Sequence, residues 1–525
     1  MKKLVALLLA AILALSAATG AMAVTVNETG LPIVDEPLKL TIAALRHGND
    51  ASENFNEKYM IKKATEETGI EIDWVEFTDS SDERLSVMLA GDLPDVFLGL
   101  ISDGQIIQNP ELFIELTDEM ISAYAPNVLA TYESSVPGWK QFLTYPDGKI
   151  YGLMGSILSS YNDSIGGTMW VNSEWLDKAG KQVPATLDEL KDVLAAFRDA
   201  DMNGDGDASD EIPLNFCQSH YASTYWELLN MFGLPSDLDI VDGKVLPTMN
   251  TETLRTALET LHGMIDEGLI NVEGLTQTAE QYNSSLASGK SGVFFGWAPY
   301  TYITDETARA AYVPMAPVTC GEQQPRRFSN GNIANRNCLV ITKACEYPTA
   351  VLRWWDYLSR DQQTAYETRL GPIGLGFYLD EDGRFYTRTP SAEEAIAAGY
   401  EKYASNIGTS TWTASMGLTL CAPLMLYNLT ANDPTSTSSI RKSGVDLWAP
   451  YFAEQTLPRA IIPGEAQEEL DFATDGLSSY IDSFVAKALV DGVTDESWEA
   501  HLSALDSYGY GFYIEWNQKY LDGQL

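Results

Sequence analysis

Residues 38–45 read LKLTIAAL, and the reading of that octet decides the fold. It is a nearly unbroken apolar run, which suits a strand buried on both faces. IEIDWVEF (70–77) alternates apolar and polar residues as a second strand, and DVFLGL (95–100) supplies a third. Between them the pattern predicts a helix around 53–68, closed by Gly69, and another over SDERLSVMLAG. Strand, helix, strand, helix, strand with crossover-length connections argues for a mostly parallel sheet wrapped by helices. The fold class is α/β.

A second α/β region is expected between about 170 and 315. Thr186 with Glu189 forms a capping box, followed by an apolar face of Leu190, Val193, Leu194 and Phe197. Leu254, Leu258, Leu261 and Ile265 repeat that face on a later helix, and Gly292–Gly296 (GVFFG) reads as a short buried strand leading into Trp297. The C-terminal region is helical. Tyr480, Ile481, Phe484, Val485, Ala488 and Leu489 share one face, stopped near Gly492, and Trp498, Leu502 and Leu505 share the next. Two α/β lobes are therefore interleaved in the chain rather than strung in series.

The N-terminus carries Lys2-Lys3, the apolar run LVALLLAAILAL (4–15) and Ala21-Met22-Ala23. A basic start, a short apolar stretch and a small-x-small cleavage signal describe a secretory signal peptide over 1–23. Twelve apolar residues, counted from that run, are too few to span a bilayer. The mature protein is expected to be exported, periplasmic or extracellular. The first cysteine is Cys217, so no lipid-attachment cysteine follows the signal peptide.

The net charge is −41, from 33 Lys plus Arg against 74 Asp plus Glu. With no basic stripe to offset it, this surface repels phosphate backbones, so nucleic acid is not expected as a partner. The five cysteines (217, 320, 338, 345, 421) lack metal-knuckle spacing; Cys320, Cys338 and Cys345 leave one disulfide open beside the alternative of buried free thiols. SGKSG (288–292) fails as a phosphate loop, because Ser284 stands where a glycine is needed. It reads as a turn before a strand. The four histidines are scattered without HExxH, and a G-x-S-x-G elbow is absent, which removes the zinc-hydrolase and serine-elbow classes. A glycosidase needs only two carboxylates, so composition leaves that class open.

Aromatic residues are the positive signal. Flat C–H faces of sugars pack on Trp and Tyr, while their hydroxyls need fixed polar partners. Trp297 lies in FFGWAPY, where Pro299 forces a turn and Tyr300 follows; Trp226 lies in HYASTYWELL and Trp412 in a polar TSTWTAS loop. Each is also a candidate for ordinary core packing.

Residues 201–214, DMNGDGDASDEIPL, gather oxygen ligands. Asp201, Asn203, Asp205 and Asp207 occupy positions 1, 3, 5 and 7, with Gly206 at position 6. That pattern suits a hard cation, Ca²⁺ above all. An EF-hand requires Glu at position 12, where this chain has Ile212, and Pro213 denies a long exiting helix. Asp210 and Glu211 are left to close the coordination shell; the alternative is a solvated turn with no ion.

Three stretches, MLAGDLPDVFL (88–98), DGKIYGL with MWVNSEWLDKAGKQVPATLDEL (within 147–190) and ASGKSGVFFGWAPY (287–300), together resemble the extracellular solute-binding proteins of ABC transporters, in the group that includes maltodextrin-binding protein. The resemblance covers residue 38 to the C-terminus. It implies a two-lobed type II periplasmic-binding-protein fold with a helical C-terminal region, closing on a carbohydrate that a membrane permease then receives. The lobes implied are 38–160 plus about 332–395, and about 168–315 plus 400–525. By the resemblance Trp297 stacks on a sugar, Trp226 belongs to a cleft segment of the second lobe, Arg46 and His47 follow the first strand as polar sugar contacts, and Tyr161 and Asn162 stand near the crossing. The acidic loop resembles the structural calcium site of oligosaccharide-binding members, though it is one residue longer before Asp210-Glu211. The expectation is a non-catalytic, monomeric carbohydrate receptor; a peptide or other polar-solute receptor, an exported glycoside hydrolase and a surface adhesin are the competing classes.

Overall fold

A computed structural model describes residues 24–525 apart from 81–82, 137, 156, 159–164, 330–334, 427–435 and 458–460. The signal peptide, Tyr161 and Asn162 therefore lie outside the described residues. Nine strands form the two principal sheets: β1 Leu38–Leu45, β2 Ile70–Phe77, β3 Val96–Leu98, β4 Gly152–Gly155, β5 Thr168–Asn172, β6 Ile212–Asn215, β7 Ser291–Gly296, β8 Tyr312–Met315 and β9 Asn335–Ile341. The helices used below are α1 Tyr59–Thr68, α2 Leu187–Arg198, α3 Ser410–Met416, α4 Thr437–Trp448, α5 Leu477–Asp491 and α6 Asp495–Ser507.

The first sheet has the order β2-β1-β3-β9-β4. β1 runs parallel to both β2 and β3, as the strand–helix rhythm predicts, with Leu38 opposite Ile70 and Ile42 opposite Val96. β9 alone runs the other way, antiparallel to both neighbours, so β4 has the direction of β1–β3. The sheet is thus parallel in its sequence-contiguous part and antiparallel where the chain returns from elsewhere. The second sheet, β8-β5-β7-β6, pairs β5 antiparallel to β7 and β8, with β6 parallel to β7.

Local chemistry explains the element ends. Before α1 the chain makes a 3₁₀ turn at Phe55–Glu57, so the helix expected over 53–68 begins at Tyr59; Gly69 ends it in the left-handed conformation at φ 78°. Thr186 and Glu189 form the reciprocal capping box on α2. α5 ends at Gly492.

Two large cores sit against the two sheets. One combines Leu40, Ile42, Ile72, Val96 and Leu98 with Leu339, Ile341, Trp354 and Trp355. The other combines Val171, Leu190, Phe197, Leu214, Leu258 and Phe295 with Val445, Trp448, Ile481, Val485, Trp498 and Leu505 from α4, α5 and α6. Residues 400–424, expected with the second lobe, instead pack on the first. Leu418, Cys421, Ala422 and Leu424 complete the first core, and the Tyr403 hydroxyl donates to Glu57 at 2.9 Å. All five cysteines are buried free thiols. Among the described residues no helix is long and apolar enough to cross a membrane.

Candidate functional site

A cavity of about 690 Å³ opens between the bodies built on the two sheets. Of the residues singled out in the sequence, Arg46, His47, Trp297, Tyr300 and Trp412 line it. Trp226 does not. It sits in the helix Tyr225–Asn230, half-buried against the second core, with its ring 5.3 Å from that of Tyr225. Its neighbours in that helix, Tyr225, Leu228 and Leu229, face the same core, and packing accounts for its position.

Trp297 leaves β7 through a close approach. A Cβ on Gly296 would stand 2.7 Å from the Tyr302 ring, so the strand end can lie on Tyr302 only as glycine. The Trp297 backbone N–H donates to the Tyr302 hydroxyl at 3.1 Å, and its indole N–H donates to the Tyr300 hydroxyl at 3.0 Å. Pro299 opens the 3₁₀ turn Pro299–Thr301 that brings both tyrosines back. From α4, the Arg441 guanidinium covers one indole face at 3.8 Å and donates to the Trp297 carbonyl at 2.8 Å.

Trp412 lies on α3, a helix where the polar sequence suggested a loop. Thr409 caps it, its hydroxyl accepting from the Trp412 backbone N–H at 3.4 Å. Arg46 projects from the end of β1 and pairs with Glu76 at 2.6 Å. Burial pushes the His47 imidazole below its ordinary pKa, with Asp50 opposing the shift.

Sequence reading missed several lining residues. Tyr221 is 68% exposed, an open aromatic face, and stacks on buried His220 with centroids 4.8 Å apart and planes at 28°. Burial pushes the His220 imidazole down to about 4, and its Nδ1 accepts from the Ala222 N–H at 3.2 Å. Arg369, Arg388 and Arg441 also line the cavity. The two aromatics of HYAS were on view in the sequence, but their neighbour Trp226 drew the attention. The arginines come from segments distant in sequence and carried no motif. Among the described lining residues there is no Asp or Glu.

The sequence profile of the bacterial extracellular solute-binding protein family matches residues 59–383. The chain belongs to that family. This solute-binding protein is 26% identical over 487 residues to the fructooligosaccharide ABC transporter substrate-binding protein FusA of Streptococcus pneumoniae serotype 4, covering 89% of this chain and 87% of that one. Its fold is similar to that of S. pneumoniae FusA in complex with kestose, with a TM-score of 0.76 at 23% identity, covering 92% of this chain and 99% of the other. A second FusA structure, of an EF-hand mutant in complex with fructo-nystose, gives the same TM-score of 0.76 at the same 23% identity and coverage, 92% of this chain and 99% of that one. An HMO-binding ABC-transporter-associated solute-binding protein from Bifidobacterium longum infantis gives 0.75 at 22% identity, covering 93% and 99%. The α/β solute-binding fold expected from the sequence is thereby established.

The acidic loop of this solute-binding protein leads into β6, in the second body. Its side chains close successive turns: Asn203 accepts from the Asp205 N–H at 2.9 Å, Asp205 from the Asp207 N–H at 2.9 Å, and Asp207 from the Ser209 N–H at 3.0 Å. Asp201 accepts from the N–H groups of Gly204 (2.6 Å) and Gly206 (3.1 Å). Glu211 takes the Met202 N–H on one oxygen at 2.7 Å, while its other oxygen is buried without a hydrogen-bond partner. Lys290, from the SGKSG turn, forms an ion pair with Asp210. Among the described residues no group of three or more His, Cys, Asp or Glu is gathered closely enough to hold a metal ion. The donor set nevertheless has the chemistry of a hard-cation site, with one buried carboxylate oxygen lacking a partner and a lysine paired with one of its carboxylates.

Proposed function

We propose that this protein is the substrate-capturing component of an ABC importer, holding a carbohydrate, an oligosaccharide, between its lobes and passing it to a membrane permease. One observation carries the reading: a cavity of about 690 Å³ bounded by Trp297 and Tyr221 from one body and by Trp412, Arg46 and His47 from the other. Aromatic faces with fixed polar groups around them suit sugar rings, and a site shared by two bodies couples binding to closure. The relatives named for fructooligosaccharide and HMO binding support the substrate class. The non-catalytic reading is supported by the relative named as an ABC transporter substrate-binding protein. The protein is read as a non-catalytic monomer acting outside the cytoplasmic membrane.

Ca²⁺ is proposed as a structural ion of the loop, with Asp201, Asn203, Asp205, Asp207, Asp210 and Glu211 as its oxygen ligands. An EF-hand is named for the FusA relative. Bound there, Ca²⁺ supplies charge neutralisation and cross-links the loop, which pins the segment between α2 and β6.

The test is a thermal-shift screen of residues 24–525 against fructooligosaccharides beginning with kestose, other oligosaccharides, peptides and amino acids, with Ca²⁺ present. A ligand at 100 times its dissociation constant adds about 2.7 kcal/mol. A glycan hit recovered unhydrolysed is expected. A hit confined to peptides or amino acids overturns the substrate class, and consumption of the glycan overturns the non-catalytic reading.

A further inference from the structure

Lys58 precedes α1, and its side chain is 1% exposed. Its ammonium pairs with Asp50 at 2.8 Å, itself 2% exposed, and donates to the Ala414 carbonyl at 2.9 Å and the Ser415 carbonyl at 3.4 Å. Asp50 also accepts from the Ser52 N–H at 2.9 Å and hydroxyl at 2.7 Å, and lies 3.6 Å from the Arg46 guanidinium. Arg46 pairs with Glu76, whose second oxygen accepts from the Phe55 N–H at 2.8 Å. The Ala51 N–H donates to the Ser415 hydroxyl at 2.9 Å. Two cations and two carboxylates thus join the end of β1, the loop after it, β2, the start of α1 and the C-terminal turn of α3.

Withdrawing an ion pair from water costs several kcal/mol per ion, and packed apolar residues of similar volume often serve stability as well or better. What such a network supplies instead is one arrangement among several apolar alternatives. Three compact donors on one nitrogen suit a carboxylate and two adjacent carbonyls, a geometry a planar guanidinium does not match. Burial pushes the Lys58 ammonium below its ordinary pKa, with Asp50 opposing the shift.

Two of the elements so joined contribute to the first-lobe wall of the cavity: the loop bearing Arg46 and His47, and α3 bearing Trp412. We infer that Lys58 is a positioning residue of the ligand site, holding the Trp412 ring in fixed relation to Arg46 and His47 through the α3 carbonyls. This rests on the proposed reading of the cavity as the ligand site.

Fluorine NMR of the full chain labelled with 5-fluorotryptophan tests it without any ligand, so its outcome is independent of the glycan screen. Trp412→Phe assigns the Trp412 resonance. Lys58→Met is expected to displace or broaden that resonance while those of Trp297 and Trp170 stay in place, and Lys39→Met, on an exposed surface pair, moves none. An unmoved Trp412 resonance, or equal movement of all the tryptophans, overturns the inference. Should Lys58→Met not fold, Asp50→Asn removes the counter-charge at constant size, and the same displaced or unmoved Trp412 resonance decides.

Discussion

The Arg441 guanidinium lies 3.8 Å from the centroid of the Trp297 ring and donates to the Trp297 carbonyl at 2.8 Å, so one side chain fixes both the indole plane and the strand end that carries it. On the proposed reading, the sugar contact belongs to the indole face that this cation leaves uncovered. Trp297→Ala is expected to weaken glycan binding about tenfold or more, ~1.4 kcal/mol, as loss of a central aromatic anchor does. Arg441→Lys keeps the charge but not the planar fork, and should weaken binding less. Titration calorimetry with the glycan hit of the screen measures both; unchanged affinity in Trp297→Ala would remove the indole from the site.

Gly296→Ala tests the approach of β7 to Tyr302. A methyl group 2.7 Å from the ring must push Tyr302 aside or bend the strand, at a cost of roughly 1–3 kcal/mol in a packed core. The Tyr302 hydroxyl is the acceptor for the Trp297 N–H, so glycan affinity should fall together with stability. Urea unfolding and calorimetry on one preparation read the two effects. A stability loss without an affinity loss would separate the strand end from the site.

His220 is expected to make the protein acid-sensitive. Burial holds its folded-state pKa at about 4, below the ordinary 6.5. As pH falls through about 6.5 the unfolded chain binds a proton that the folded chain refuses until about 4. Stability from the neutral ring is therefore complete above that window and lost on descending through it, by roughly 3 kcal/mol at most. His220→Phe keeps a ring against Tyr221 and removes the titration. Its Tm should fall less than the wild type's between about pH 7 and about pH 4.5; equal falls would show that other groups set the acid limit.

Ca²⁺ should raise the Tm of the wild type, and a chelator should reverse the rise. Asp201→Ala is expected to abolish the response, and Lys290→Met, by freeing Asp210, to strengthen it. Differential scanning calorimetry with and without Ca²⁺ measures all three. A wild type indifferent to Ca²⁺ and chelator alike would leave the loop a set of self-closed turns.

The parts legible in the sequence were those set by local pattern. LKLTIAAL and IEIDWVEF are legible as strands because burial period and strand length are written within each octet; their register against each other is not. The Thr186–Glu189 box and Gly69 are likewise written in a few adjacent residues. Trp297 was found because a buried strand, a glycine and a proline surround it. Tyr221 was not, since an exposed tyrosine becomes a platform only when His220 and the opposite wall are in place. Trp226 misled because a helix face turned toward a core has the same local chemistry as one turned toward a cleft. Residues 400–424 were assigned to the wrong body because Leu418 and Leu424 signal burial without saying in which core.

β9 sits fourth in the first sheet, between β3 and β4, yet it is synthesised after the whole of β5 to β8. A chain delivered N-terminus first across a membrane presents β3 and β4 long before the strand that separates them. Until residue 341 arrives, Phe97 and Leu98 have no partner on that side, and Gly152 and Leu153 have nothing between themselves and solvent. A truncation ending after the second sheet should therefore yield no folded first body, and extracytoplasmic chaperones that shield unpaired strand edges should matter most in that interval.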